Sequence, residues 1–424
     1  MLTLVSAREQ LFLRKEAPIG QRCGEKGVAT IERTSLVRSF LLNLRRITTT
    51  GNFVPEIDGL RFIAISSVVL YHINGYLLLR NHYAYTRGIA RDSQIFSIFT
   101  PGALGVQLFF VISGLVLGMP FASWLTRGGK AVSLRSYFLR RLTRLEPPYI
   151  LTLLVLFCGA TAISKIPRTE LFHSLLASLC YTHNLFWPRE VPPLVNGVAW
   201  TLEIEVQFYI LAPLLAQVFR LRPVIRRGLL VALIAIKCVL FRNFAPSHAS
   251  IIEYYDYFMA GFLLADLYVS GAMKPAKYDV GWFLLAVALF GVIWAGAPVP
   301  KSITMALFYF AAFRSKSLAS VLAQPIISAI GGMCYSIYLV HMATVSFAGR
   351  LVVRQITHWF MIDYAIEFLG LLFVVSVASV ITYKLLEQPC MRRDWPQRLV
   401  QKLRYFSRNP SSPTSPCQRR TTQG

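Results

Sequence analysis

The sequence predicts an all-α membrane protein, a polytopic bundle of about ten transmembrane helices. Of its 424 residues, 55% are hydrophobic and only 15% are charged, whereas about 25% of the residues in soluble domains are charged. The apolar residues also form long runs, such as 60–79 and 327–347. Runs of about 20 apolar residues match the hydrocarbon thickness of a bilayer. A large soluble enzyme is therefore a poor explanation of this composition.

Ten stretches of the chain are predicted to be membrane spans. In chain order they are 59–79, 101–122, 147–164, 200–219, 229–242, 253–270, 280–297, 302–313, 327–348 and 364–386. The range 302–313 is short, since a span needs about 20 residues. A further apolar segment, 171–187, is expected to lie outside the membrane.

Positive charge alternates along the chain. The formal net charge is +24, and every second connecting segment is rich in Lys and Arg. Those segments and the two termini hold 31 Lys and Arg, whereas the connections between them hold 10. This alternation follows the positive-inside rule, which predicts that the basic segments and both termini are cytoplasmic. The charge therefore indicates topology, and nucleic acid is not an expected partner.

The chain is predicted to contain three regions. Residues 1–52 form a basic cytoplasmic extension, 53–392 the transmembrane domain, and 393–424 a basic cytoplasmic tail. The tail ends in a Pro- and Ser-rich stretch that is typical of disorder. The seven cysteines are scattered and form no C-x-x-C pair, so we expect no metal site and no disulfide framework.

Ionisable residues in the first span are candidates for function, because charge inside a membrane is costly. Asp58 and Arg61 are predicted at the cytoplasmic edge, and His72 lies deeper. Eleven positions separate Arg61 from His72, so on a helix they share one face, about 16 Å apart. An interface anchor and a hydrogen-bonded packing histidine are the alternative interpretation of this pair.

Two further spans carry ionisable residues. Glu203 and Glu205 lie in the first turns of WTLEIEVQFY (200–209), and His341 ends YSIYLVH (335–341). Glu203 could be present simply because negative charge is favourable at the N-terminus of a helix. This explanation is weaker for Glu205. Buried carboxylates of this kind need partners, which makes both of them candidate site residues.

Three arginines stand in the basic loop that leads into the third span. Arg140, Arg141 and Arg144 recur at helical spacing in YFLRRLTRLEP (137–147). They could anchor the span on the cytoplasmic side. Their functional interpretation is a phosphate cradle, because guanidinium groups bind phosphate oxygens in pairs.

Taken together, these motifs resemble the acyltransferase-3 family of bacterial membrane acyltransferases. Arg61 and His72 match its R-x10-H motif, and Glu205 matches the Glu of W-S-L-x-x-E-x-x-F-Y. The other matching segments are GVQLFFVISG (105–114), RRLTRLEP (140–147), GGMCYSIYLVH (331–341) and YKLLEQP (383–389). Gln107 and Val206 depart from the family pattern, where acidic residues are common, and Glu203 appears nearby instead.

The resemblance implies an acyl-CoA donor, usually acetyl-CoA, and a hydroxyl of a cell-surface or lipid-linked glycan as acceptor. It also implies a location in the bacterial inner membrane, with no bound cofactor. The candidate catalytic residues are His72, as general base or acyl carrier, Glu205, which would orient a histidine or the acceptor, and Arg61. The candidate substrate- and donor-binding residues are Arg140, Arg141, Arg144, Asp58 and His341.

A transporter is the rival hypothesis. Buried His, Glu and Arg residues also suit a proton-coupled transporter or flippase of a lipid-linked or anionic solute. Consumption of acetyl-CoA by the purified protein would separate the two functions.

Overall fold

The described part of the chain contains twelve helices longer than seven residues. The computed structural model describes residues 44, 46, 54–80, 98–240, 246–352, 357, 359–392 and 395, and no strand occurs among them. The chain separates into two units, 1–43 and 44–424, and every described residue belongs to the second. The helices are α1 (Pro55–Arg80), α2 (Gly105–Arg127), α3 (Leu134–Ile163), α4 (Arg168–Leu179), α5 (Trp200–Leu215), α6 (Pro223–Leu240), α7 (Ile251–Ser270), α8 (Val280–Trp294), α9 (Lys301–Arg314), α10 (Pro325–Gly332), α11 (Cys334–Val352) and α12 (Phe360–Thr382).

The two predicted terminal regions lie almost entirely outside the described residues. Only Leu44 and Arg46 of the extension 1–52, and only Trp395 of the tail 393–424, are described. Trp395 Nε1 donates to the carbonyl oxygen of Thr143 at 3.0 Å, which ties the start of the tail to α3. The predicted disorder of the tail stays a prediction.

The fold is that of an all-α membrane protein. Five helical stretches are long and apolar enough to cross a bilayer, namely Pro55–Leu79, Thr100–Arg127, Leu134–Ile163, Trp200–Arg220 and Met361–Cys390. The pair α10 and α11, bent by 68°, meets the same criteria as one broken span. Each of the ten predicted ranges overlaps a helix, but length and composition alone support five or six crossings.

The third predicted span begins earlier than expected. The helix α3 starts at Leu134, thirteen residues before the predicted boundary at 147. Ser133 caps its N-terminus, with Ser133 Oγ accepting from Ser136 N at 3.4 Å. The segment that carries Arg140, Arg141 and Arg144 is therefore helical and continuous with the span, and not a loop.

Glycines allow the helices around the site to pack backbone to backbone. A Cβ on Gly261 of α7 would lie 2.3 Å from Val111 O of α2, and one on Gly331 of α10 only 1.7 Å from Asp58 O of α1. Small residues of this kind are what membrane helices use for close approach. As a result, α10 fixes the position of the start of α1, where Asp58 and Arg61 lie.

The segment after α3 turns back along that helix. Tyr149 OH donates to Ser178 O at 2.9 Å, and Tyr181 OH donates to Glu146 Oε1 at 3.0 Å. Glu146 and Tyr149 lie near the middle of the candidate span Leu134–Ile163. The segment 171–187 thus packs along α3, and its expected place outside the membrane stays a prediction.

Candidate active site

Two histidines from different helices meet inside the helix bundle. His341 Nε2 of α11 lies 3.2 Å from His72 Nδ1 of α1, and the ring centroids are 5.0 Å apart. The His341 side chain has no solvent exposure, and His72 is partly buried. The structure therefore places His341, predicted as a binding residue, directly against the predicted catalytic base.

Backbone carbonyl groups define the protonation of this pair. His341 Nδ1 lies 2.8 Å from Tyr338 O and 3.1 Å from Ile337 O, and a carbonyl oxygen can only accept. His341 therefore carries its proton on Nδ1 and has a lone pair on Nε2. Because His72 Nδ1 faces that lone pair and also Val68 O at 3.0 Å, His72 Nδ1 is the donor. The lone pair of His72 is then on Nε2, where it can accept a proton.

Glu205 binds groups other than His72. Glu205 Oε1 accepts from Ser113 Oγ of α2 at 2.5 Å, and the Tyr209 hydroxyl hydrogen-bonds the same carboxylate. Within the described residues no hydrogen bond joins Glu205 to either histidine of the pair. The expectation that Glu205 orients a histidine is therefore not supported by the geometry, in which His341 has that position relative to His72.

Tyr338 connects the start of α5 to the histidine pair. Its hydroxyl lies 2.5 Å from Thr201 Oγ1 and 3.0 Å from Val198 O, and its ring centroid is 5.6 Å from that of His341. In addition, Asn196 Nδ2 donates to Leu339 O at 3.0 Å. The connection that precedes α5 is thus fixed to the helix that carries His341.

Asp58 is buried between two arginines. It forms an ion pair with Arg61 one turn along α1, and Arg46 Nη1 lies 3.4 Å from Asp58 Oδ1. A buried carboxylate needs such partners, since an isolated charge away from water is costly. Asp58 therefore holds the two guanidinium groups at the start of α1.

A second buried carboxylate holds the third arginine of this group. Glu387 Oε1 lies 3.7 Å from Arg144 Nη2, and Glu387 Oε2 accepts from Ser336 N at 3.0 Å and from Ser336 Oγ at 2.6 Å. The charges of Arg61 and Arg144 both repel that of Arg46. We call Arg46, Arg61 and Arg144 the cationic cluster; they face two carboxylates, so one positive charge is in excess.

The three predicted arginines of α3 point to different surroundings. Arg144 joins the cationic cluster. Arg141 stacks 3.7 Å above the Tyr137 ring centroid and lies 5.5 Å from that of Tyr209, close to Glu205. Arg140 is exposed. The structure thus brings Arg144 towards Arg46 and Arg141 towards Glu205, whereas Arg140 reaches neither.

Several residues of the site were not singled out from the sequence. Ser113, Tyr338 and Glu387 lie inside the matching motifs 105–114, 331–341 and 383–389, so their motifs were a usable signal. Arg46 lies in the basic extension, where nothing in the sequence distinguishes it from neighbouring arginines. Only its contact with Asp58 reveals it.

Comparison with known proteins supports the resemblance. The family model described as an acyltransferase domain, of the acyltransferase-3 type, matches residues 54–384. The O-acetyltransferase OatA of Staphylococcus aureus (strain NCTC 8325 / PS 47) is 25% identical over 380 residues, covering 80% of this chain and 58% of that protein. A protein of S. aureus (strain COL) that is provisionally named an O-acetyltransferase is 26% identical over 333 residues, covering 70% of this chain and 51% of that protein.

The chain spans between about half and three fifths of the length of these curated relatives. No solved structure is significantly similar to it. The family model nevertheless covers the whole region in which the histidine pair and most of the charged residues described above lie. On this evidence the chain belongs to the acyltransferase-3 family.

Proposed function

We propose that this protein is an O-acetyltransferase that moves an acetyl group from acetyl-CoA to a hydroxyl of a cell-surface or lipid-linked carbohydrate. The family and the names of its relatives support O-acetyl transfer. The observation that carries the proposal is the histidine pair, in which His341 holds His72 with Nε2 as the free base. An acyl transfer to a hydroxyl needs such a base.

His72 acts as the general base in this proposal. The acceptor hydroxyl gives its proton to His72 Nε2 while its oxygen attacks the thioester carbonyl carbon. The carbon–sulfur bond then breaks, and the CoA thiolate takes the proton back from the imidazolium. His341 Nε2 accepts from His72 Nδ1–H throughout and thereby stabilises the positive charge that develops on His72. If the acetyl group is carried covalently, the same lone pair of His72 forms the bond.

The cationic cluster binds the donor in this proposal. CoA carries phosphates at one end and its reactive thioester at the other. Arg61 and His72 lie on one face of α1, about 16 Å apart along the helix. Phosphates bound at Arg61, Arg144 and Arg46 therefore leave the thioester directed along α1 towards His72. Arg141, held by its aromatic neighbours beside Glu205, is a second contact for this chain.

We place the protein in the bacterial inner membrane, with ten spans and both termini cytoplasmic. The alternation of Lys and Arg along the sequence supports this topology. In this arrangement the cationic cluster is at the cytoplasmic end of α1, where acetyl-CoA is available, and His72 is deeper in the membrane.

The test is turnover of radiolabelled acetyl-CoA by the purified protein in detergent or nanodiscs. Release of CoA with label in an added glycan fraction, lost in His72→Gln, is the expected result. Absence of acetyl-CoA consumption, together with proton-coupled uptake of a solute into proteoliposomes, would overturn the proposal and favour a transporter. Mass spectra of glycans from cells with and without the protein would identify the acetylated acceptor.

A further inference from the structure

A small polar pocket lies at the start of α5 and shares no residue with the histidine pair or the cationic cluster. It lies between α3, the segment that turns back along it, and the start of α5. Its lining residues are Tyr149, Ser178, Tyr181, His183, Pro193, Ala199 and Glu203. The space between these side chains is too narrow, as it stands, for a water molecule.

Three buried polar atoms of this pocket have no hydrogen-bond partner among the described residues. They are Glu203 Oε1, His183 Nδ1 and Ser178 Oγ. Their residues are only 2%, 3% and 3% exposed. Most buried polar groups in native proteins are paired, and each exception needs an explanation such as an absent ligand. Three such atoms line this one pocket, and a ligand that hydrogen-bonds them would account for all three.

The unpaired atoms select one kind of ligand. His183 Nε2 lies 2.9 Å from Val191 O and must donate to it, so His183 Nδ1 has the lone pair. Glu203 Oε2 already accepts from Asn184 N at 2.9 Å, which leaves Oε1 as a free acceptor. The Ser178 hydroxyl can donate or accept. Two acceptors and a hydroxyl suit a ligand that presents several hydroxyl groups, whereas they repel a phosphate.

Two buried side chains, those of Thr201 and Tyr338, connect the pocket to His341. Thr201 lies between the lining residues Ala199 and Glu203 on the chain, and its Oγ1 is 2.5 Å from Tyr338 OH. The Tyr338 ring in turn packs against His341, with centroids 5.6 Å apart. A ligand bound by Glu203 thus lies on the side of His341 that faces the start of α5, with Thr201 and Tyr338 between them.

One wall of the pocket is formed by a residue at the C-terminal end of α4. Tyr181 has a φ of +54°, and this left-handed conformation ends the helix, since Tyr181 N donates to Ser178 O at 3.1 Å and Thr182 N donates to Ala177 O at 2.9 Å. The Tyr181 ring stacks on Tyr149 with centroids 5.0 Å apart, and its hydroxyl donates to Glu146. Displacement of the Tyr181 side chain would widen the pocket.

We propose that this pocket is the acceptor subsite, in which Glu203, His183 and Ser178 bind the hydroxyl-bearing edge of the carbohydrate. The assignment rests on the proposed function, since it gives the acceptor of that reaction a place. It also separates the two carboxylates of α5, with Glu203 facing the acceptor and Glu205 facing Ser113 and the arginines.

Glu203→Gln and Ser178→Ala test the assignment, with Glu190→Gln as matched control. Glu190 is exposed and lies between the segment 171–187 and α5. The acceptor is the total glycan extract of cells that lack the protein, titrated at saturating radiolabelled acetyl-CoA. We expect Glu203→Gln to raise the KM for glycan about tenfold, as for loss of a hydrogen bond to a charged group. Ser178→Ala should raise it less, and the KM for acetyl-CoA should stay unchanged in both.

Folding is checked by gel filtration in detergent, and Ser178→Ala remains informative if Glu203→Gln is unstable. A glycan KM equal to that of the parent in both folded variants, or a rise equal to that of Glu190→Gln, would overturn the assignment. Parent protein that turns over acetyl-CoA in these assays keeps the proposed function intact in that event. Parent protein that consumes no acetyl-CoA refutes the proposed function, and the acceptor subsite with it.

Discussion

Replacement of His341 by leucine is expected to slow acetyl transfer without weakening donor binding. Leucine fills the fully buried position but offers no acceptor to His72 Nδ1–H, which lies 3.2 Å from His341 Nε2. Among the described residues, Val68 O at 3.0 Å is then the remaining partner of the imidazolium that forms on His72. The change should therefore act on kcat and leave the KM for acetyl-CoA unaltered.

The size of the effect follows from the lost hydrogen bond. A hydrogen bond to a charged group contributes about 1.5–3 kcal/mol, which corresponds to about 10- to 100-fold in rate. Because Val68 O remains as an acceptor, we expect the lower end for His341→Leu, about tenfold. His341→Gln keeps an acceptor oxygen and should lose less. Removal of the base itself, in His72→Gln, should cost about 10²- to 10⁴-fold.

The assay is transfer of radiolabelled acetyl groups from acetyl-CoA in membranes with matched expression of each variant. His173→Gln, an exposed histidine of α4, is the control and should retain parental activity. A rate for His341→Leu within twofold of the parent would refute the orienting role of His341. A loss as deep as that of His72→Gln would instead make His341 the base, and the assignment of protons in the pair would be wrong.

Further predictions follow from the remaining contacts. Arg144→Gln keeps a hydrogen-bond donor for Glu387 but removes the positive charge, so the KM for acetyl-CoA should rise about tenfold. The control is Arg135→Gln, at an exposed position, which should leave the KM for acetyl-CoA unchanged. Asp279 accepts from Ser317 and neighbouring groups, and these hydrogen bonds lower its pKa. The contribution of Asp279 to stability is therefore fully present above a pH of about 3.9, the pKa of an aspartate in an unfolded chain. It is lost as the pH falls through the lower pKa that Asp279 has in the folded protein. Thermal unfolding at pH 7 should detect destabilisation by Asp279→Ala, and an equal loss at pH 2 would contradict this. Reporter fusions at positions near 190 and 356 should locate these positions outside the cell, and fusions near 225 and 410 should locate those in the cytoplasm. The opposite pattern would place the cationic cluster on the outer side of the membrane.

Much of the helical architecture could be predicted because it depends on local properties of the chain. Apolar runs mark helices, and each of the ten predicted ranges overlaps one. The separation of Glu203 from Glu205 was also accessible, since two positions on a helix differ by about 200°. The start of α3 was predicted too late because the first part of this helix is basic. Hydropathy detects only the apolar part of a helix that crosses the membrane, and not a polar extension of the same helix.

The pairing of the site residues could not be predicted. His72 and His341 are 269 positions apart, and only tertiary packing brings them together. The same holds for the ion pair of Arg144 with Glu387, two residues from separate motifs. Helical spacing alone did not reveal that Arg140 would be exposed while Arg144 is paired, because the direction of the buried face of α3 depends on its neighbours.

The directions of packed helices bear on the number of crossings. Along α2 and α7, Gly114 approaches Phe258 and Gly118 approaches Ala265, so residue numbers rise together and the two helices are parallel. This contact lies inside the candidate span Thr100–Arg127, so α7 shares the depth of α2. Successive crossings alternate in direction, so α3 runs opposite to α2, and α5 runs parallel to α2. For α7 to run parallel to α2 as well, α6 must cross the membrane between α5 and α7.

The same argument extends to the end of the bundle. Gly331 approaches Asp58 and Gly349 approaches Tyr76, so α10 and α11 together run parallel to α1. An odd number of crossings must therefore separate them. To keep that number odd, α8 and α9 must either both cross the membrane or both not cross it. Tyr309 OH of α9 donates to Leu108 O at 3.0 Å, and Leu108 lies inside the candidate span Thr100–Arg127, so α9 lies at the depth of that span. Counting that pair gives seven crossings between the first span and the bent one, and with α12 a total of ten. Packing direction thus favours ten crossings, which would leave both ends of the bundle on one side of the membrane. The alternation of positive charge is a separate observation, and it favours the orientation in which that side, with the cationic cluster, is cytoplasmic.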